Sequence, residues 1–180
     1  MTTYAQSEVV DRLTGARLPQ IALPTTDGGA IYLSKLPTIS VVYIFPRISP
    51  AGGTAIEGWD EIPGAKGCTA QSCAFRDRWA DLLHVGVDKV FGLSAQSMVE
   101  QTEAAQRLRL EFPLICDAEG ALQAALNLPT FHVEKMTLLQ RMTFILRDGF
   151  IEKVFFPISE PSTNAADVFA YLSAPRGEKR

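Results

Sequence analysis

The stretch GCTAQSCAFRD, residues 67–77, carries two thiols, Cys68 and Cys73, set five positions apart. A thiolate can attack an electrophile, bind a metal or exchange with a disulfide, so this spacing is the first indication of chemistry. The third cysteine, Cys116, ends the apolar run FPLIC, which favours a buried structural residue. Because three is an odd number, at least one thiol stays unpaired within a monomer, and this favours a reducing compartment.

A zinc site is a poor interpretation of these thiols. The C-x4-C spacing is not a usual zinc spacing, and only two histidines, His84 and His132, are present. A cysteine hydrolase would need a histidine base beside its thiol. We interpret His84 as a residue at the end of a helix and His132 as a loop residue, so we expect neither a metal site nor a histidine base beside the thiol.

Cys68 follows Gly67 at the predicted start of a helix that extends from Cys68 to Leu83. The free N–H groups and the positive dipole end of a helix start stabilise a thiolate, and Lys66 adds positive charge. We expect such a position to lie near the surface. In a regular helix, Cα atoms five residues apart are roughly 8 to 9 Å from each other, more than the span of about 7 Å that a disulfide bridges. If Cys68 and Cys73 pair, the first helical turns must therefore unwind.

The elements that would position these thiols alternate between strands and helices. TISVVYIF, residues 38–45, is typical of a strand buried on both faces. Further strands are predicted in KVFGLSA and FPLIC, and further helices in SMVEQTEAAQRLRL, AEGALQAALNL and NAADVFAYLSA. Asp27-Gly28-Gly29 and Asp148-Gly149 indicate two hairpins. These patterns predict an α/β fold with a central mixed sheet flanked by helices. The order of the elements is a βαβ unit followed by a ββα unit, which is compatible with the thioredoxin-like class.

Composition predicts one soluble domain over residues 1–180, with a long loop at 47–66 and a frayed charged tail, APRGEKR. The chain has 180 residues, of which 47% are hydrophobic and 21% charged, which is enough for a core. A net charge of −3 with interspersed signs argues against nucleic-acid binding. No secretory signal or long apolar span is evident, so we expect a cytoplasmic protein without membrane contact.

The stretch GCTAQSCAFRD resembles the reactive centre of peroxiredoxins, whose domain is of the redoxin type, and in particular the peroxiredoxin Q or bacterioferritin-comigratory-protein group. The segments VYIFP, VFGLSAQS, FPLICDAEG and RMTFILRDGFIEKV follow in that group's order, so the resemblance extends over roughly residues 18 to 172. It implies a thioredoxin-like fold and a thiol-dependent peroxidase that reduces hydrogen peroxide or an organic hydroperoxide without a cofactor.

The resemblance also implies roles for three residues. Cys68 matches the peroxidatic cysteine, which becomes a sulfenic acid, and Cys73 matches the resolving cysteine, which forms an intramolecular disulfide with it. Arg141 matches the active-site arginine. A dithiol donor such as thioredoxin or glutaredoxin would recycle the disulfide, and the protein would be a monomer or a homodimer. Two alternatives remain open: a reductase of protein disulfides, and a redox sensor without significant peroxidase activity.

One departure from the family motif, Pro-x-x-x-Thr/Ser-x-x-Cys, concerns the hydroxyl that contacts the peroxide. Ala65 occupies its position, and the interval from Pro46 to Cys68 is much longer than in the motif. Ser49, Thr54 and Thr69 are candidates to replace the hydroxyl. The additional residues contain Trp59 and two acids, Glu57 and Asp60, and are interpreted equally well as the wall of a pocket for larger organic hydroperoxides, a contact for a partner protein, or a surface loop.

Overall fold

The computed structural model describes residues 3–175 and 177 of the chain. Nine strands are present in this part: β1 Leu23–Pro24, β2 Ala30–Ile31, β3 Ile39–Ile44, β4 Val87–Ser94, β5 Leu114–Cys116, β6 Thr130–Val133, β7 Met136–Leu139, β8 Met142–Arg147 and β9 Phe150–Phe155. Six α-helices accompany them: α1 Thr3–Leu13, α2 Cys68–Asp77, α3 Trp79–His84, α4 Met98–Arg107, α5 Ala121–Leu126 and α6 Asn164–Ser173. Short 3-10 turns lie at Leu33–Lys35, Trp59–Glu61 and Pro161–Thr163.

Five strands form the central mixed sheet in the order β5-β4-β3-β8-β9. β3 pairs in parallel with β4, and β4 with β5, whereas the pairs β3–β8 and β8–β9 are antiparallel. This is the predicted βαβ unit followed by a ββα unit, and the α/β fold of the thioredoxin-like class is confirmed. The predicted hairpin at Asp27 is also confirmed, because β1 and β2 pair antiparallel on either side of it.

Both faces of the sheet are covered by helices, as the apolar sequence of β3 predicts. Successive side chains of a strand point to opposite faces, so Val42 and Ile44 join one core cluster and Val41 and Tyr43 join the other. Helices α1 and α5 contribute to the first cluster. Helices α2, α3, α4 and α6 contribute to the second, which also contains Cys68.

The β8–β9 hairpin turns at Asp148 and Gly149, which have φ of 50° and 80°. Two consecutive residues with positive φ are typical of the tight hairpin turn that the Asp-Gly pair predicts. A Cβ atom on Gly149 would lie 2.5 Å from the backbone oxygen of Ser34, so no larger residue fits there without a shift of the backbone.

The structure corrects several expectations about the elements. The helix predicted from Cys68 to Leu83 is interrupted at Arg78, which has non-helical angles of φ −100° and ψ 5° and separates α2 from α3. His132, predicted in a loop, lies in β6. Helix α1 and the β6–β7 hairpin were not predicted from the sequence. The charged tail predicted at residues 174–180 falls largely outside the described residues.

Residues 47–66 run from the end of β3 towards α2 and contain only the short turn Trp59–Glu61. The Trp59 ring packs against Phe131 of β6 with a centroid distance of 6.2 Å, which attaches this segment to the β6–β7 hairpin. Within the described part of the chain, no helix combines the length and the apolar character that crossing a membrane requires.

Candidate active site

Cys68 is the first residue of α2, as predicted, but it is not near the surface. Its exposed fraction is only 4%. The helix start is covered by the turn Pro161–Thr163 and by α6, both of which pack against α2. Gly67, with φ of 96°, allows this close approach, because a Cβ atom at that position would lie 2.8 Å from Cγ of Pro161. The expectation of a surface thiol was wrong because tertiary packing covers the helix start.

Arg141 brings a buried positive charge to the thiol. It is 3% exposed, and its Nη2 lies 3.2 Å from Sγ of Cys68. The same nitrogen donates to the carbonyl oxygens of Gly64, Ala65 and Lys66 at 3.1, 3.2 and 2.7 Å. The backbone before Cys68 therefore surrounds the guanidinium and holds it against the sulfur. Arginine suits this role because its donors have a fixed planar arrangement.

Gln71 holds the other end of the guanidinium. Its Oε1 accepts a hydrogen bond of 2.5 Å from Nη1 of Arg141, and its Nε2 donates to Oδ1 of Asn164 at 3.0 Å. Oγ1 of Thr143 donates to the same Oδ1 at 2.7 Å. All four side chains are buried. Sequence reasoning found Arg141 but missed Gln71, Asn164 and Thr143; for Gln71 a signal existed, since residues three apart in a helix share a face.

No hydrogen bond of the described residues brings a hydroxyl group to the sulfur of Cys68. The carbonyl of Ala65 lies there instead and accepts from Sγ at 3.6 Å. Of the three predicted candidates, Ser49 accepts a hydrogen bond from Arg47 at 3.4 Å, and Thr54 and Thr69 are exposed. The polar contacts that the described residues make with this sulfur are thus a carbonyl and a guanidinium.

Cys73 lies in the same helix, half-buried against the cluster that contains Cys68. Both thiols are free, and α2 continues without a break between them. A disulfide between them therefore requires the first turns of α2 to open, as the spacing predicts. The helix ends at Asp77, so the segment that would have to open is short.

Tyr43 of β3 packs against α2 through Phe75 and Ser72. The rings of Tyr43 and Phe75 stack at a centroid distance of 4.5 Å, and the Tyr43 hydroxyl donates to Oγ of Ser72 at 3.1 Å. Complete burial raises the pKa of Tyr43 well above its usual value of 10.0, because the phenolate would lose its hydration. The phenol is consequently neutral over the physiological range.

The remaining thiol and the histidines do not join this site. Cys116 is buried at the end of β5, as predicted, and its Sγ donates to the carbonyl of Gln96 at 3.3 Å. His84 ends α3, as predicted, and Nδ1 of His132 contacts Oγ1 of Thr137 at 3.0 Å. Among residues 3–175 and 177, no group of three or more potential ligands is placed to hold a metal ion.

Comparison with known proteins connects the chain to one family. Residues 13–172 match the Redoxin family model. The chain is 26% identical over 162 residues to a chloroplastic peroxiredoxin Q of Oryza sativa subsp. japonica, covering 89% of this chain and 66%, just under two thirds, of the relative. It is 25% identical over 162 residues to the peroxiredoxin bcp of Coxiella burnetii, covering 88% of this chain and 97% of the relative.

A solved structure shares the fold. Peroxidoxin BcpB from Mycobacterium tuberculosis superimposes with a TM-score of 0.71 at 23% identity, covering 91% of this chain and 97% of that one. At this identity the superposition shows the common architecture. Because the family model matches most of the length of the chain, from α1 to α6, the protein belongs to the Redoxin family.

Proposed function

We propose that this protein is a thiol-dependent peroxidase in which Cys68 is the sulfur that peroxide oxidises. The observation that carries the proposal is the 3.2 Å contact between Nη2 of Arg141 and Sγ of Cys68 in a buried site. A buried charge is costly unless it is paired, and the salt bridges of the described residues include none to Arg141. In this proposal, a thiolate at Cys68 supplies the missing negative charge.

In the first step, the Cys68 thiolate attacks the terminal oxygen of the hydroperoxide. A sulfur–oxygen bond forms and the oxygen–oxygen bond breaks, so that the sulfur loses two electrons and becomes a sulfenic acid. The leaving oxygen takes the electron pair of the broken bond and a proton, and departs as water or an alcohol. Arg141 stabilises the negative charge that develops on this oxygen.

In the second step, the Cys73 thiol condenses with the sulfenic acid. A disulfide forms and water leaves, after the first turns of α2 have opened. A dithiol donor then restores both thiols by exchange. The names of the relatives support a peroxide substrate, and membership of the family implies a reductant of the thioredoxin type. Glutaredoxin as donor, a monomer or homodimer, and a cytoplasmic location stay predictions. The rival activities, protein-disulfide reduction and redox sensing, have no support in those names.

Rapid-mixing kinetics with mass spectrometry of the product test this proposal. Cys68→Ser is expected to abolish peroxide consumption. Cys73→Ser is expected to keep one fast oxidation and lose the disulfide, and the control Cys116→Ser is expected to keep both steps. Full activity in Cys68→Ser would contradict the proposal, and a disulfide between Cys68 and Cys116 would overturn the role given to Cys73.

A further inference from the structure

Asn164, the first residue of α6, bonds to two other elements of the fold. Its exposed fraction is 1%, and its Oδ1 accepts hydrogen bonds from Nε2 of Gln71 at 3.0 Å and from Oγ1 of Thr143 at 2.7 Å. Gln71 lies in α2 and Thr143 lies in β8. A buried amide is costly unless it is hydrogen-bonded. These two contacts therefore tie the start of α6 both to the helix of the reactive thiol and to the central sheet.

Arg141 closes these contacts into a ring. Its Nη1 donates to Oε1 of Gln71, and it precedes Thr143 by two positions, so the backbone of β8 and the residue before it completes the circuit. The members of this hydrogen-bonded ring are Arg141, Gln71, Asn164 and Thr143. Each of the four is at most 3% exposed. Bulk water therefore does not supply their hydrogen bonds, and each member depends on the others.

The direction of the hydrogen bonds in the ring follows from Arg141. A guanidinium donates and does not accept, so Gln71 must turn its amide oxygen to Arg141 and its NH2 group to Asn164. That NH2 group needs an acceptor in turn, and Oδ1 of Asn164 provides it. Asn164 therefore holds Gln71 in the orientation in which its oxygen serves the guanidinium.

The proposed opening of α2 would displace one member of the ring. Gln71 belongs to α2, whereas Thr143 lies in β8, inside the five-stranded sheet, and Asn164 lies in α6. Opening would break both bonds of Gln71 and leave the bond between Thr143 and Asn164. The bond between Gln71 and Asn164 thus exists only while α2 is closed, and a bond of this kind opposes opening.

We propose that Asn164 is a positioning residue that acts through Gln71 on both steps of the reaction. While α2 is closed, Asn164 holds Gln71 in place and the guanidinium of Arg141 stays against the thiol, which favours attack on the peroxide. The same bond keeps α2 closed and so slows formation of the disulfide between Cys68 and Cys73. This inference rests on the proposed peroxidase function and deepens it. The two steps therefore respond in opposite directions to the loss of Asn164.

Rapid mixing of the full-length protein with hydrogen peroxide, with mass spectrometry of quenched samples, measures the two steps separately. Asn164→Leu is expected to lower the rate constant for Cys68 oxidation about two- to tenfold and to raise that for disulfide formation by a similar factor, since one neutral hydrogen bond contributes on this scale. If Asn164→Leu does not fold, Asn164→Ala takes its place. Disulfide formation that is unchanged or slower in the variant would overturn the inference.

A double-mutant cycle tests whether Asn164 acts through Gln71. In Gln71→Leu protein the bond is already absent, so adding Asn164→Leu is expected to change neither rate constant by more than about twofold. Val168→Ala is the matched control, because Val168 is completely buried one turn further along α6. It is expected to keep the wild-type rate of oxidation. Additive effects of Asn164→Leu and Gln71→Leu, or equal slowing in Val168→Ala, would overturn the inference while leaving the peroxidase intact.

Amide hydrogen exchange of the reduced protein without peroxide gives a readout that does not depend on the proposed function. Asn164→Leu is expected to accelerate exchange at residues 68–73 about two- to tenfold. Asn164→Asp, which keeps an acceptor at this position, is expected to retain most of the protection. Equal acceleration in both variants would contradict the role of the acceptor. Oxidation of wild-type Cys68 by hydrogen peroxide no faster than that of a free thiolate would instead contradict the proposed function itself.

Discussion

Oε1 of Gln71 accepts a hydrogen bond of 2.5 Å from Nη1 of Arg141, and Gln71 lies one helical turn after Cys68. Its Nε2 donates to Asn164, the first residue of α6. One buried amide thus connects the helix that carries the thiol, the guanidinium that contacts it and the helix that covers both. If the first turn of α2 opens, Arg141 loses this partner.

Replacement of Gln71 by leucine is expected to slow oxidation of Cys68 by about ten- to a hundredfold. The change leaves a buried guanidinium N–H without its acceptor, and an unsatisfied group of this kind costs about 1 to 3 kcal/mol. Stopped-flow oxidation by hydrogen peroxide measures the effect. Gln101→Leu is the control, because Gln101 is also completely buried but bonds to the carbonyls of Ser94 and Gln96. Equal slowing in both variants would show a general loss of stability instead.

Replacement of Arg141 by lysine is expected to lower the rate of Cys68 oxidation about a hundredfold although the charge is kept. An ammonium group has no planar fork, so it cannot serve Gln71, three carbonyls and the sulfur together. Arg147→Lys, at the other end of β8, where the arginine pairs with Glu152, is the matched control and is expected to retain the wild-type rate. A rate near wild type in Arg141→Lys would mean that charge alone is sufficient.

Gly67→Ala is expected to destabilise the protein more than Gly58→Ala does. Both glycines have positive φ, 96° and 71°, which costs about 1 to 2 kcal/mol for a residue with a Cβ. Only at Gly67 would the new Cβ also meet Pro161, and such overpacking adds about 1 to 3 kcal/mol. Urea unfolding measures both variants. If the two lose the same free energy of unfolding, the contact with Pro161 does not constrain the start of α2.

Tyr43→Phe is expected to reduce the loss of stability at alkaline pH. Burial raises the pKa of Tyr43 in the folded state. The contribution of the neutral phenol to the free energy of unfolding is therefore fully present below the pKa of the unfolded state, about 10, and is lost as pH rises towards the pKa of the folded state. Between these limits the free energy of unfolding falls by about 1.4 kcal/mol per pH unit on account of this residue. Urea unfolding at pH 8 to 11 should show a shallower decline in Tyr43→Phe than in the wild type. In Tyr32→Phe, which changes an exposed phenol, the decline should match the wild type.

Disulfide formation is expected to expose the backbone of α2 without exposing that of α3. Amide hydrogen exchange of residues 68–73 should accelerate at least tenfold in the oxidised protein, because opened turns lose their hydrogen bonds. Residues 79–84 should keep their protection, because α3 is a separate helix. Wild-type protein locked in the reduced state by excess dithiol is the comparison. Unchanged exchange across residues 68–73 would exclude the opening step.

Much of the fold and part of the site could be predicted from the sequence, for physical reasons. The continuous apolar run of β3 and the Asp-Gly turn of the last hairpin carry strong local signals, and Cys68 at a helix start is a local feature too. The burial of Cys68, the break at Arg78 and the bond from Gln71 to Asn164, 93 residues apart, depend on tertiary packing. Helix α1 escaped prediction because, among its described side chains, Val9 and Leu13 are the buried ones, which is a weak helical pattern.

The interruption of the helix at Arg78 separates the segment that carries Cys68 and Cys73 from α3. Because α2 is only ten residues long and is followed by a separate helix, the opening that the proposed redox cycle requires would involve a small part of the molecule. We expect the contacts of Gln71, Ser72 and Pro161 with α2 and its surroundings to oppose this opening. Helices α1 and α5 pack on the opposite face of the sheet, away from this segment. We therefore expect substitutions that stabilise that face to raise the melting temperature without slowing turnover.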